Sequence, residues 1–148
     1  MRKSVLFLVG ILYLVSIVVV TFFGMQARMD QFKKYVTSVE IINDGISKKT
    51  DENGVETKTI TIRFSSKDST EVSFYIQTKV LPEDAFNKTL SYTLLDSNGD
   101  PVPEADARVL SDGRITFAKT MTVTLIVSST DGSNKTDTIK IRCRAASS

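Results

Sequence analysis

Three oxygen-bearing side chains at alternate positions, Asp96, Asn98 and Asp100, with Glu104 and Asp106 close behind, come nearest to a site of chemistry in this chain. Calcium takes several oxygen ligands from a turning backbone, and a D-x-N-x-D run supplies such oxygens. A helix–loop–helix calcium loop also needs Gly at its sixth place and Glu at its twelfth. Those places hold Pro101 and Ala107. Acids alternating around Asn-Gly are the ordinary make-up of a hydrated turn, which is the expectation here. Asp96, Asn98 and Asp100 are kept as the one calcium candidate.

Other chemistry has less to stand on. The chain has no His, which removes the commonest general base and the commonest zinc ligand together. It contains neither a G-x-S-x-G nucleophile motif nor a phosphate loop, and its carboxylate clusters fall in turns. The single Cys143 cannot close an intramolecular disulfide, and it falls on the apolar phase of the last strand-like run, where a thiol behaves as a small hydrophobe. Lys48 and Lys49 are matched by Asp51 and Glu52 and read as a solvated loop. The sequons at Asn87 and Asn134 are expected by chance in so Thr-rich a chain. The expectation is a non-enzyme that uses no cofactor.

Charge narrows the partners. Arg2, Lys3, Arg28, Lys33 and Lys34 are five of the 19 basic residues, and only Asp30 opposes them before position 36. From Val36 onward 14 basic residues face 16 acidic ones, so that part lacks the positive excess of a nucleic-acid binder. The early basic residues flank an uncharged apolar run over residues 5–25. As a helix it would measure about 32 Å, close to the hydrocarbon thickness of a bilayer. A secretory signal is the competing reading, but the run is long for one, and "FFGMQARMD" has no A-x-A cleavage pattern. The expected organisation is a cytoplasmic tail (1–4), a transmembrane helix (5–26), a juxtamembrane spacer (27–35), a β domain (36–143) and a C-terminal tail (144–148). In the spacer, Phe32 and Tyr35 stand beside Lys33 and Lys34, a mixture suited to lipid headgroups. The flanking charges by count do not set the orientation.

The elements that must position the candidate residues are strands. "TKTITIRF" puts Ile60, Ile62 and Phe64 on one face. "EVSFYIQTKVL" alternates Val72, Phe74 and Ile76 with polar neighbours, leaving Tyr75 outward. "TLSYTLL" does the same with Leu90, Tyr92 and Leu94, "MTVTLIVSS" with Met121, Val123, Leu125 and Val127, and "TDTIKIRC" with Ile139, Ile141 and Cys143. A period of two is the mark of half-buried antiparallel sheet. Beyond the apolar run every Gly (45, 54, 99, 113 and 132) follows Asn or Asp, the signature of tight hairpin turns. About eight short strands at this spacing predict an all-β fold, an antiparallel β-sandwich behind one N-terminal transmembrane α-helix.

The ordered set of motifs resembles a known family. Val80, Pro82, Asp84, Ala85, Asn87, Lys88 and Tyr92 in "VLPEDAFNKTLSYTL" are similar to the strand–turn–strand of bacterial immunoglobulin-like domains, group 2, with Tyr where Trp is usual. Val109, Gly113, Ile115, Thr116, Ala118, Thr122, Thr124, Asp131 and Gly132 match later family runs, and "VTSVEI" resembles the first strand. The likeness covers roughly residues 36–142. It departs from the family at residues 43–56, a longer connection, and at "DSNGDPVPEAD". The resemblance implies an immunoglobulin-like sandwich, an extracytoplasmic setting and binding or spacing rather than catalysis.

The expectation that follows is a single-pass cell-membrane protein with its C-terminal domain outside. It would be a structural or protein-interaction subunit of a bacterial envelope complex, contacting the lipid bilayer and another membrane or surface protein, and no nucleic acid. The candidate interaction loops are Asn43, Lys48, Lys49, Asp51, Asn53, Asp96, Asn98, Asp100 and Glu104. A surface adhesin or glycan-binding module and a pilus-like filament subunit are the alternatives, and the oligomeric state is open.

Overall fold

The computed structural model describes residues 2–31, 33–66 and 69–146. Phe32 and the last two residues of the expected C-terminal tail lie outside the described residues, as do the side chains of Arg2 and Arg28. The chain divides into two compact units, Met1–Lys34 and Tyr35–Ser148.

The first unit is a helix, α1, over Arg2–Gln31. Within it Lys3–Gly24, 22 residues, is long and apolar enough to cross a membrane, and none of it is buried. Residues 15–20 are rich in β-branched side chains, which weaken helices in water. They are helical here, as in lipid, where an unpaired amide costs far more than a lost rotamer. The Thr21 hydroxyl donates back to the Ile17 carbonyl, so this polar group is satisfied within the helix. The helix continues past the apolar run, so residues 27–31 of the expected spacer are helical.

Among the described residues the regular elements of the second unit are all strands: β1 (Ser38–Ile41), β2 (Ser47–Thr50), β3 (Glu56–Arg63), β4 (Val72–Tyr75), β5 (Thr78–Leu81), β6 (Leu90–Leu95), β7 (Ala107–Val109), β8 (Arg114–Phe117), β9 (Met121–Ser129) and β10 (Thr136–Arg144). One sheet has the order β2-β3-β10-β9-β6, a second β4-β8-β7, and a third is the pair β1-β5. The predicted alternation is realised in the long strands. Val123, Leu125 and Val127 of β9 and Ile139, Ile141 and Cys143 of β10 are buried, and they share one core with Ile115 and Phe117 of β8, Ile60 and Phe64, Leu94, and Val39 and Ile41 of β1. Each such side chain contributes about 1.5–3 kcal/mol by leaving water.

Three expectations are corrected. The sheet is not wholly antiparallel: β10 runs parallel to β3, with Lys140 opposite Thr59 and Arg144 opposite Arg63. A parallel pair needs a long crossover, and here most of the domain lies between the two strands. The alternating run "EVSFYIQTKVL" is not one strand. Its first half, β4, pairs with β8, and its second half, β5, pairs with β1. The in–out phase survives the change of partner, so periodicity alone does not reveal the break. Lys48 and Lys49 are not in a loop but on β2, whose four residues are all exposed at the edge of the five-stranded sheet. A lysine-bearing edge strand discourages pairing with another chain.

Asn43 holds the place where the strand changes partner. Its Nδ2 donates to the Tyr75 carbonyl (2.7 Å) and its Oδ1 accepts from the Gln77 amide (2.8 Å). The Ile76 amide between them donates to the Gly113 carbonyl at 2.9 Å. Gly113 has φ +83°, and a Cβ there would meet the Ile76 carbonyl oxygen at 3.2 Å and the Tyr92 hydroxyl at 3.3 Å, so the position requires Gly twice over.

Two stability outcomes test this arrangement. Leu125→Ala, in the centre of β9, should cost about 2–5 kcal/mol in urea unfolding. Asn43→Ala should cost about 1–2 kcal/mol and speed hydrogen exchange at the Gln77 amide, because two backbone groups lose their partner. Unchanged exchange at Gln77 would refute the clamp.

Candidate functional site

The point where the chain enters the β domain is built from two carboxylates. Val36 is buried, and its amide donates to Asp131 Oδ2 at 2.5 Å. The other oxygen of Asp131 accepts from the Ser133 amide (2.9 Å) and hydroxyl (2.6 Å), which fixes the turn between β9 and β10. The Ser133 hydroxyl, then the Val36 amide, favour the ionised carboxylate and lower the Asp131 pKa from 3.8 to about 2. Five residues on, the Ile41 amide donates to Asp137 Oδ2 at 2.7 Å, and Lys58 Nζ reaches the same oxygen at 2.7 Å. Asp137 and Lys58 are mostly shielded from water, so this pair is screened less than an ordinary surface bridge. Two carboxylates at the β9–β10 hairpin thus fasten β1 at both ends.

From there the domain has an entry end and a far end. Thr37 donates to the Leu81 carbonyl and Thr130 to that of Thr89, which places residues 82–88 and the β9–β10 turn beside Val36. Nine residues along β9 span about 30 Å, so its other end, at Met121, lies well away. Phe64, bonded to the Arg144 carbonyl, is at that far end.

The structure does not bring the candidate interaction residues together. Asn43 clamps the strand switch, and Lys48 and Lys49 lie along an edge strand, Lys48 paired with Glu56 at 3.4 Å. Asp51 and Asn53 form the β2–β3 turn, where Asp51 Oδ1 accepts from the amides of Asn53 and Val55. Asp96, Asn98, Asp100 and Glu104 follow β6 on the connection to β7. Asp96 Oδ1 accepts from the amides of Asn98 (2.7 Å) and Asp100 (3.0 Å), so this oxygen closes a turn. Among the described residues no group of three or more His, Cys, Asp or Glu is arranged to hold a metal ion. Of the anchor flanks, Lys3 is exposed near the start of α1, and Lys33 and Lys34 follow its end.

Tyr75, picked out by phase alone, is exposed, with the Arg114 guanidinium 5.9 Å from its ring centre. Cys143 is buried and unpaired, and burial pushes its thiol pKa up, away from the reactive thiolate. A groove of about 430 Å³ at the far end is lined by Phe64, Ser69, Thr70, Ala118, Thr120 and Ala146. Sequence reasoning located Asp131 as part of an Asp-Gly turn and of the family resemblance, with no role at the chain entry. Its bond to Val36 spans 95 positions, and no local pattern signals it.

The chain matches no family model and no curated protein.

The entry contact makes stability depend on acid. The folded pKa of Asp131 is depressed, so its contribution is complete above the ordinary carboxylate range and is lost as pH falls from about 4 through about 2. Asp131→Asn should lower the Tm at neutral pH and flatten the decline in Tm between those limits. Parallel Tm–pH curves for the two proteins would show that the charge does not fasten the entry.

Proposed function

We propose that this chain is a single-pass membrane protein whose β domain stands outside the cytoplasm. It acts there as a non-enzymatic structural or protein-interaction subunit of a bacterial envelope or membrane complex. The observation that carries this reading is the wholly exposed apolar length of Lys3–Gly24, set before a domain whose core residues all lie from Val36 onward. An apolar length so exposed among the described residues gains by entering a bilayer, which would cover it.

An immunoglobulin-like sandwich is the architecture we assign to the domain. The five-stranded sheet would form one layer, with β4-β8-β7 and β1-β5 together forming the other. Support comes from the single core shared by residues of all three sheets and from the strand that leaves β8 to join β1. The resemblance of residues 36–142 to bacterial immunoglobulin-like domains favours the outward orientation and a role in binding or spacing. The turn carboxylates also favour a non-catalytic role, since Asp51, Asp96 and Asp131 are each engaged by backbone amides of their own turns. One observation favours the adhesin or glycan-binding reading as second choice. Tyr75 and Arg114 place an exposed aromatic ring and a cation side by side, a pairing that suits sugar recognition.

An epitope tag after Ser148, protease treatment of intact cells and carbonate-washed membranes test the proposal together. The tag should be lost to protease while the protein stays in the membrane pellet, and a stoichiometric membrane partner should co-purify in detergent. A protected tag would reverse the topology, and release of a shorter species would mean that the apolar run is a cleaved leader. Purification without a partner would overturn the subunit role.

A further inference from the structure

The most exposed large apolar side chain described in the β domain is Phe86, at 70%. It sits on the connection between β5 and β6, and that connection is well braced. The Ala85 amide donates to the Pro82 carbonyl at 3.0 Å, Lys88 Nζ to the Glu83 carbonyl at 3.1 Å, and the Thr89 amide to Asn87 Oδ1 at 2.9 Å. Ala85 itself is buried in the core, so the residue before Phe86 is anchored. Asn87 also reaches the Thr130 hydroxyl, at 3.4 Å, which ties the loop to the β9–β10 turn. Phe86 is therefore presented at the entry end, where Tyr35 and Leu81 are exposed as well.

That end is the one tethered to the apolar helix. Eleven residues lie between Gly24, the end of the apolar length, and Val36. With the first part helical to Gln31 they span at most about 30 Å, and the headgroup layer takes up several ångströms of that. Phenyl and phenol rings gain from the boundary between headgroups and acyl chains, where apolar surface leaves water without losing polar contacts. The charges of the loop and the neighbouring turn are mixed, Lys88 and Lys135 against Glu83, Asp84 and Asp131, so the end is not a basic patch seeking anionic lipid.

From this we infer that the entry end of the domain docks on the lipid surface, with Phe86 inserted at the headgroup–acyl boundary and Tyr35 and Leu81 beside it. The inference rests on the membrane reading proposed above. The partner is the zwitterionic bilayer interface itself. Docking would hold the domain against the membrane and leave the far end, with its groove, presented outward.

The chain has no Trp, so one introduced Trp reports on a single place. Full-length Phe86→Trp protein in phosphatidylcholine vesicles should emit to the blue of Thr120→Trp, whose reporter lies on the turn between β8 and β9. It should lose most of its emission when the acyl chains are brominated, while Thr120→Trp keeps its emission. Glu83→Trp, which leaves Phe86 in place, is the second reporter and should also be quenched. If the protein floats with vesicles after a carbonate wash but Phe86→Trp and Glu83→Trp behave like Thr120→Trp, docking is refuted and the anchor stands. A blue-shifted but unquenched Phe86→Trp would mean that protein, not lipid, covers this end, which also refutes docking. Failure to float would overturn the anchor on which the inference rests.

Discussion

Strand β10 is the constraint on which the rest of the domain depends. It is hydrogen-bonded along both edges, parallel to β3 and antiparallel to β9, so its backbone demand is met by two segments far apart in sequence. Its inward side chains Ile139, Ile141 and Cys143 lie at the centre of the core, and Asp137 near its start fastens β1 through the Ile41 amide. A strand with both edges used and one face buried has a single acceptable register, because a slip of one residue would turn the three apolar side chains to water.

The second organising feature is the strand that changes partners between β4 and β5. A continuous in–out alternation from Val72 to Val80 keeps burying the same face while the hydrogen-bond partner changes from β8 to β1. At the join the backbone would be left short of partners, and a side-chain amide and a glycine carbonyl make good the deficit. Asn43 substitutes for a strand on one side, and Gly113 comes close enough on the other only because it lacks a Cβ. A residue read as part of a variable loop is therefore a structural clamp.

The same logic bears on what the protein does. Turn carboxylates are engaged by backbone amides: Asp96, the first residue of the calcium candidate, and Asp51 in their turns, and Asp131 at the chain entry. The exposed features are of another kind: an apolar helix, an exposed ring at the entry end, and an exposed ring with a cation on the β4–β8 pair. These suit contact with lipid and with other molecules, and they are the basis of the function proposed.

Much of this was legible in the sequence. The apolar run before Gly24 declares a helix because length and hydropathy are local properties. The burial of Val123, Leu125, Val127, Ile139 and Ile141 was readable because a strand's two faces alternate with a period no other element shares. The Asp-Gly and Asn-Gly pairs marked turns because positive φ is a property of the residue itself. What tertiary structure alone decided is pairing: β10 beside β3 in parallel, the division of one alternating run between two partners, the recruitment of Lys48 and Lys49 into an edge strand, and the reach of Asp131 to Val36. Each joins groups distant along the chain, and hydrogen-bond geometry in space, which no periodicity encodes, chooses between partners that the local pattern accepts equally well.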